Sequence, residues 1–104
     1  MEGSVFASAR AREHLRAENE FVGRLEHLRG EFLAVPRWNF PPAREAERLR
    51  GLDAERDALV AEVCRFVNRA RIKAERLAAC VMRLNEAAEK ARSIVSVRNA
   101  EEVP

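Results

Sequence analysis

The chain has 104 residues, a formal net charge of +2 and charged side chains at 35% of its positions. This size restricts it to one domain with a limited core, and no run approaches the roughly 20 apolar residues that a transmembrane helix needs. Aromatic residues make up only 6%, tyrosine is absent, and apolar residues recur every three or four positions between charged ones. This composition disfavours a sheet protein and indicates long helices or a coiled coil.

The first predicted element is a helix over about residues 4–34, with Ser4 as its N-cap. Its apolar stripe is clearest in the second half, where the spacing is three or four: Phe21, Leu25, Leu28, Phe32 and Val35. Gly23 and Gly30 each lower helix propensity by roughly 1 kcal/mol relative to alanine. We therefore expect this helix to depend on packing against other elements.

A linker rich in proline and aromatic residues follows at residues 36–41. Pro36 disfavours helix at the residue before it, and a proline pair prevents a helix from running through the segment. Pro42, the second of that pair, suits the first position of a new helix. Two roles are open for Trp38 and Phe40: they dock a partner, or they fold over the end of the helices and seal the core.

The next predicted element is one long helix over about residues 42–98, since Gly51 is its only glycine and no proline interrupts it. With heptad position a at Leu49, every a and d site is apolar except Arg56 and Lys73. Those two set the register or the choice of partner, or their long stems reach the surface. From residue 60 onward the e sites are apolar as well: Val60, Val67, Ala74, Val81, Ala88 and Val95. A stripe this wide suits a bundle of three or four helices.

The two predicted helices differ in length, at roughly 45 and 84 Å. A short linker should fold them into an antiparallel hairpin, a single domain over residues 1–104 with a short tail at 99–104. Residues after about Ala74 would then have no partner within the chain. We expect partner helices to cover their apolar side chains, which are Leu77, Cys80, Val81, Leu84, Ala88, Ala91, Ile94 and Val95. The predicted fold is thus all-α, a helical hairpin that completes a coiled coil or bundle with a second copy or another helical subunit.

Charge is divided unevenly along the chain. Residues 1–62 carry 10 basic and 12 acidic side chains, whereas residues 63–100 carry 9 basic and 3 acidic ones. The basic residues on or near one flank of the long helix are Arg65, Arg69, Arg71, Lys73, Arg76, Arg83 and Lys90. Three roles are open for them: a solvated flank paired with nearby acids, a contact for the acidic flanks of a protein partner, or a site for nucleic acid. No aromatic residues interleave with them to stack bases.

The two cysteines and two histidines predict no metal site and no cofactor. Cys64 and Cys80 are too far apart on one helix for a disulfide, and Cys80 falls on the apolar stripe. His14 and His27 lie on the other helix, far from both thiols. Two free thiols and no secretory signal predict a reducing intracellular compartment, the cytoplasm or the nucleus.

The sequence predicts no catalysis and no small-molecule substrate, because a narrow hairpin offers no cleft and no nucleophile accompanies the histidines. The predicted function is that of a non-catalytic structural or adaptor subunit, a scaffold in a multi-protein coiled-coil assembly. The alternative is a homo-oligomeric helical module whose basic half binds nucleic acid or another polyanion.

Overall fold

A computed structural model describes the backbone of residues 2–37 and 41–102, and the side chains of residues 9–37 and 41–98. This part of the chain forms three α-helices and one short 3-10 turn: α1 (Glu2–Ala34), the 3-10 turn (Val35–Arg37), α2 (Pro42–Ala70) and α3 (Glu75–Glu102). None of these residues lies in a strand. The prediction of an all-helical protein is therefore confirmed.

The prediction of a single helix over residues 42–98 is wrong, because α2 and α3 are separated by a turn at residues 71–74. Arg71 ends α2 in the left-handed conformation, with φ 53° and ψ 43°, and its N–H donates to the Val67 carbonyl. That conformation costs a non-glycine residue about 1–2 kcal/mol. The turn allows α3 to bury its apolar stripe within the chain, which offsets this cost. Lys73, one of the two charged residues at a and d sites, falls in the turn and is exposed.

Backbone contacts define where α2 and α3 begin. Pro42 is the first residue of α2, as predicted, and the N–H groups of Arg44 and Glu45 donate to the Pro41 carbonyl at 2.9 and 3.1 Å. At the start of α3 the N–H of Ala78 donates to the Ala74 carbonyl at 2.7 Å. No side-chain hydrogen bond caps the start of α2, so this helix end depends on the local backbone and on packing.

Polar contacts between helices give the topology. Asn19 and Glu26 of α1 meet Arg76 and Arg83 of α3, so both sequences advance together and these helices are parallel. Helix α2 is antiparallel to both of them, as a chain of three helices with two tight connections requires. The contact between α1 and α3 is the most extensive in the molecule.

The core runs along the axis of the bundle and draws on all three helices. Its fully buried large side chains include Leu25 and Phe32 of α1, Leu52 of α2, and Leu77 and Leu84 of α3. Each such side chain contributes about 1.5–3 kcal/mol relative to full exposure. The a and d sites of the single predicted stripe are thus divided between α2 and α3. These two helices pack against each other and against α1.

The helices are staggered along the long axis. The molecule measures 73 × 19 × 17 Å, whereas its longest helix, α1, has 33 residues, a length of about 50 Å. Asn19 contacts the first turn of α3 and His14 packs on Phe66 near the end of α2. The start of α1 therefore extends beyond the turn between α2 and α3, and the overhanging segment belongs to the first helix.

Candidate protein-interaction surface

Most of the residues predicted to contact a partner lie inside the core. Six of them are at most 4% exposed: Leu77, Cys80, Leu84, Ala88, Ala91 and Val95. The expectation that this stripe lacks cover within the chain is wrong, because the turn at residues 71–74 returns α3 along α1. Of the others, Ile94 is 37% exposed and Val81 is half-buried. Trp38 and Phe40 lie outside the described residues.

The buried side of α3 shifts along the helix. Val95 is 4% exposed and Ala88 is fully buried, although both are e sites, whereas the d site Ile94 is more than a third exposed. A straight helix has 3.6 residues per turn, so its buried face drifts away from a seven-residue repeat. The heptad assignment consequently fails first at this end of the stripe.

The seven basic residues fall into two groups. Two of them contact α1: Arg76 donates to Oδ1 of Asn19 at 2.7 Å, and Arg83 donates to a carboxylate oxygen of Glu26 at 2.8 Å. The other five are exposed and form no ion pair within the described part of the chain; they are Arg65, Arg69, Arg71, Lys73 and Lys90. All of these except Lys90 lie at the end of α2 or in the turn that follows.

Arg83 serves the fold because its guanidinium also donates to Sγ of the buried Cys80, at 3.3 Å. This contact, followed by the attraction to Glu26, raises the pKa of Arg83 above its ordinary value. The side chain joins α3 to α1 through its contact with Glu26. It belongs to the contact between two helices of the chain and not to a free basic surface.

Two exposed arginines of α1 lie at the same end of the bundle as the turn. His14 packs edge-on against Phe66 with ring centroids 6.2 Å apart, which places Arg12 and Arg16 level with the end of α2. We call the resulting group the turn-end cluster; its members are Arg12, Arg16, Arg65, Arg69, Arg71 and Lys73. Three acidic residues, Glu13, Glu18 and Glu75, share this end of the bundle. Because the cluster has six basic residues, positive charge predominates there.

An open apolar groove of about 380 Å³ lies between α2 and α3. We call it the α2–α3 groove; its lining comprises Val60, Val63, Cys64, Val67, Asn68, Ala74, Leu77, Ala78, Val81 and Met82. Four of these are e sites of the heptad, whose a and d neighbours fill the core beneath. Met82 is 63% exposed, the largest exposed fraction of any large apolar side chain whose exposure is described.

The groove includes residues that the sequence analysis did not assign to a surface. Cys64 and Ala78 occupy b sites, and Met82 occupies an f site. Positions b and e lie on the same side of a helix, so apolar residues at both form a second stripe beside the a and d stripe. That second stripe is the signal from which this surface could have been found.

The two ends of this face differ in charge. Away from the turn, the groove continues into a more polar depression of about 560 Å³, whose charged lining residues are Arg56, Asp57, Glu89 and Arg92. Both carboxylates are exposed. At the other end lie the exposed Arg71 and Lys73 of the turn. The apolar face thus has a basic end at the turn and an end with charges of both signs away from it.

Ion pairs fix how the helices lie against one another. Arg24 of α1 contacts Glu62 of α2 at 2.7 Å, and Arg92 of α3 contacts Asp53 of α2 at the same distance. Exposed pairs of this kind contribute only about 0.2–1 kcal/mol each. Their effect is therefore mainly to select the register of the helices. Arg56, the charged residue at an a site, is largely covered and contacts acidic neighbours on its own helix.

Among the described residues, no group of three or more histidine, cysteine, aspartate or glutamate side chains is placed to hold a metal ion. No described helix combines the length and the apolar character needed to cross a membrane. Comparison with protein families, with curated proteins and with solved structures found no match to this chain. The surface chemistry described above is therefore the basis for a functional proposal.

Proposed function

We propose that this chain is a non-catalytic structural or adaptor subunit that binds a helix in the α2–α3 groove. The observation that supports the proposal is the lining of the groove. This lining is apolar except for Asn68 and lies open between the antiparallel helices α2 and α3. Single exposed apolar residues are ordinary on a protein surface, but a continuous apolar face indicates an interaction site.

The occupant that fits this groove is an amphipathic helix. Val60, Cys64 and Val67 recur at intervals of four and three along α2, and Ala78, Val81 and Met82 follow the facing side of α3. A third helix laid along such a pair places its own apolar residues between both rows. Acidic residues on that helix would complement the basic end of the groove near Arg71.

Photo-crosslinking from the groove tests the proposal. Met82 is replaced by a photoreactive phenylalanine derivative in the full chain, expressed in its native cells, and the adducts are mapped by mass spectrometry. We expect adducts within one helical segment, because a bound helix occupies one position in the groove. A second substitution, Val67→Glu, should reduce these adducts at least tenfold by placing a charge on the groove wall.

Leu15→Glu is the matched control, since Leu15 is 52% exposed and does not line the groove. It should leave the adducts unchanged. Adducts scattered over unrelated proteins, or adducts that persist with Val67→Glu, would contradict the proposal.

A second candidate function is binding of nucleic acid or another polyanion by the turn-end cluster. The observation that favours it is that the six cations of the cluster form no ion pair within the described residues. A labelled DNA duplex is a suitable probe, and its affinity should fall steeply between low and physiological salt. Arg65→Glu together with Arg69→Glu should weaken binding more than tenfold, whereas Lys90→Glu, far from the cluster, should have little effect. Affinity that is unchanged by salt or by the double substitution would rule this function out.

A further inference from the structure

We infer that the turn end of the bundle binds the major groove of a B-form DNA duplex, with the start of α1 in the groove and the turn-end cluster on the phosphates along its two edges. This inference rests on the second function proposed above, and it specifies both the polyanion and the way it is bound. It depends on two independent features of this end of the molecule, its shape and its charge.

The start of α1 projects from this end of the bundle. His14 packs on Phe66, and α2, which runs antiparallel to α1, ends four residues later at Ala70. Because α1 begins at Glu2, its residues 2–9 lie beyond the end of α2. A helical segment of that length spans about 12 Å.

This projection fits the major groove in length and width. An α-helix with its side chains is about 10–12 Å across, whereas the groove is about 12 Å wide and about 8.5 Å deep. Five of residues 2–9 are glycine, serine or alanine, so this helix is slender. The bundle measures 19 × 17 Å in cross-section and is too wide to enter. It therefore stops at the edges of the groove, where the phosphates lie.

The charge of this end complements those phosphates. Residues 9–16 carry three basic and one acidic side chain, a net charge of +2, and residues 65–76 carry five basic and one acidic, a net charge of +4. Counting Glu18 as well leaves this end at +5. Within the described side chains, no member of the turn-end cluster forms an ion pair. These cations are therefore available to a partner.

The cluster has members on two sides of the bundle. Arg12 and Arg16 are each two residues from His14, which turns them about 160° away from it around α1. Because His14 points to α2, these two arginines face away from α2, whereas Arg65 and Arg69 extend from α2 itself. One pair of arginines thus lies near each edge of a groove that holds the start of α1.

Two other polyanions fit this end less well. A single strand is held largely by aromatic side chains that stack on its bases, but Phe66, the aromatic residue between Arg65 and Arg69, is buried in the core. An anionic membrane holds a helix through a broad apolar face. Residues 2–16 have only three large apolar side chains, Val5, Phe6 and Leu15. Shape and charge together therefore favour the duplex.

The salt dependence of binding tests the contacts with phosphates. Fluorescence anisotropy of a labelled duplex, titrated with the full chain at several salt concentrations, gives the slope of log K against log salt. Six cations on phosphates predict a slope of about −5.4. Replacing Arg12 and Arg16 with glutamine should change it to about −3.6, because two contacts are lost. Replacing Arg65 and Arg69 with glutamine should have the same effect.

The matched control replaces Arg50 and Lys90 with glutamine. Both are exposed and form no ion pair within the described part of the chain, and both lie far from the cluster. This double variant should leave the slope unchanged.

Dimethyl sulfate footprinting tests the insertion of α1. Guanine N7 faces the major groove, so the bound chain should protect it from methylation. Ala7→Glu should remove this protection and weaken binding about tenfold, because it brings a negative charge into the groove. Ala7→Gln, of similar size but uncharged, should retain both. An RNA duplex of the same sequence should bind about tenfold more weakly, since its major groove is too narrow to enter.

Slopes that neither arginine pair changes, unprotected guanine N7, or equal affinity for the DNA and RNA duplexes would each overturn the inference. Tighter binding to vesicles that contain phosphatidylserine than to the duplex would also overturn it. The second proposed function would survive unprotected guanines if binding were still salt-dependent and weakened by Arg65→Glu with Arg69→Glu. Cross-linking from position 82 tests the α2–α3 groove separately, so helix binding there does not depend on these results.

Discussion

Arg98 joins three parts of the chain near the start of α2. Its guanidinium donates to the Pro36 carbonyl at 2.7 Å and lies 3.5 Å from Oε2 of Glu45. Glu45 is 2% exposed, and this oxygen accepts no hydrogen bond within the described part of the chain. A buried carboxylate is stable only with compensating charge, so Arg98 is the group that permits its burial.

Replacing Arg98 with methionine should lower the free energy of unfolding by about 3 kcal/mol, because it leaves the Glu45 carboxylate buried without its counter-charge. This is the lower end of the range for a broken buried pair, since the Arg98 side chain is 34% exposed. Urea denaturation followed by circular dichroism measures the change.

Two further variants show whether the loss of stability arises from the buried Glu45 carboxylate. Arg92→Met breaks an exposed pair with Asp53 and should change the free energy of unfolding by less than about 1 kcal/mol. The double variant Glu45→Met with Arg98→Met should recover most of the loss, because no buried charge remains. Equal losses in the single and double variants would show that Arg98 does not act through Glu45.

For single residues, the sequence predicted which apolar side chains share a stripe but not which of them remain exposed. Leu84 and Ile94 belong to one predicted stripe, yet Leu84 is fully buried and Ile94 is 37% exposed. Their exposure depends on how far α1 and α2 extend beside them. The extent of α1 and α2 beside each residue depends on the stagger of the helices, and the local sequence pattern does not predict this stagger.

Among the elements, the turn at residues 71–74 determines the architecture. It contains neither glycine nor proline, so propensity indicated a continuous helix. The one local sign was Lys73, a charge at a d site that would have faced the core. Breaking the helix there places this charge in solvent and buries apolar side chains on both sides of it. Tertiary burial overrides helix propensity at this point.

Arg71→Gly should raise the free energy of unfolding by about 1 kcal/mol, because glycine adopts the left-handed conformation without the steric penalty of a side chain. Arg71→Ala is the matched control, since it also removes the side chain but keeps the Cβ atom. Thermal and urea unfolding of both variants give the difference. In a continuous helix the order would be reversed, with glycine about 1 kcal/mol less stable than alanine.

For the whole molecule, composition and periodicity predicted an all-helical protein, and the proline pair predicted where α2 begins. The e sites also indicated a bundle of three or four helices. Periodicity could not count the helices within the chain, because a stripe covered by α1 has the same sequence pattern as one covered by a partner. The groove could be predicted only in part. Its e sites belong to the predicted stripe, whereas Cys64 and Met82 line the groove only because α2 and α3 face each other in the fold.

The parallel contact of α1 with α3 has a consequence for the synthesis of the protein. Leu25 and Phe32 find their partners on α3 only after residues 75–98 have been translated. At 5–20 residues per second, the 28 residues of α3 take about 1–6 s to make. During that interval the nascent chain presents the apolar sides of its first two helices. Ribosome-associated chaperones would encounter this chain in that interval, and rare codons within α3 would prolong it.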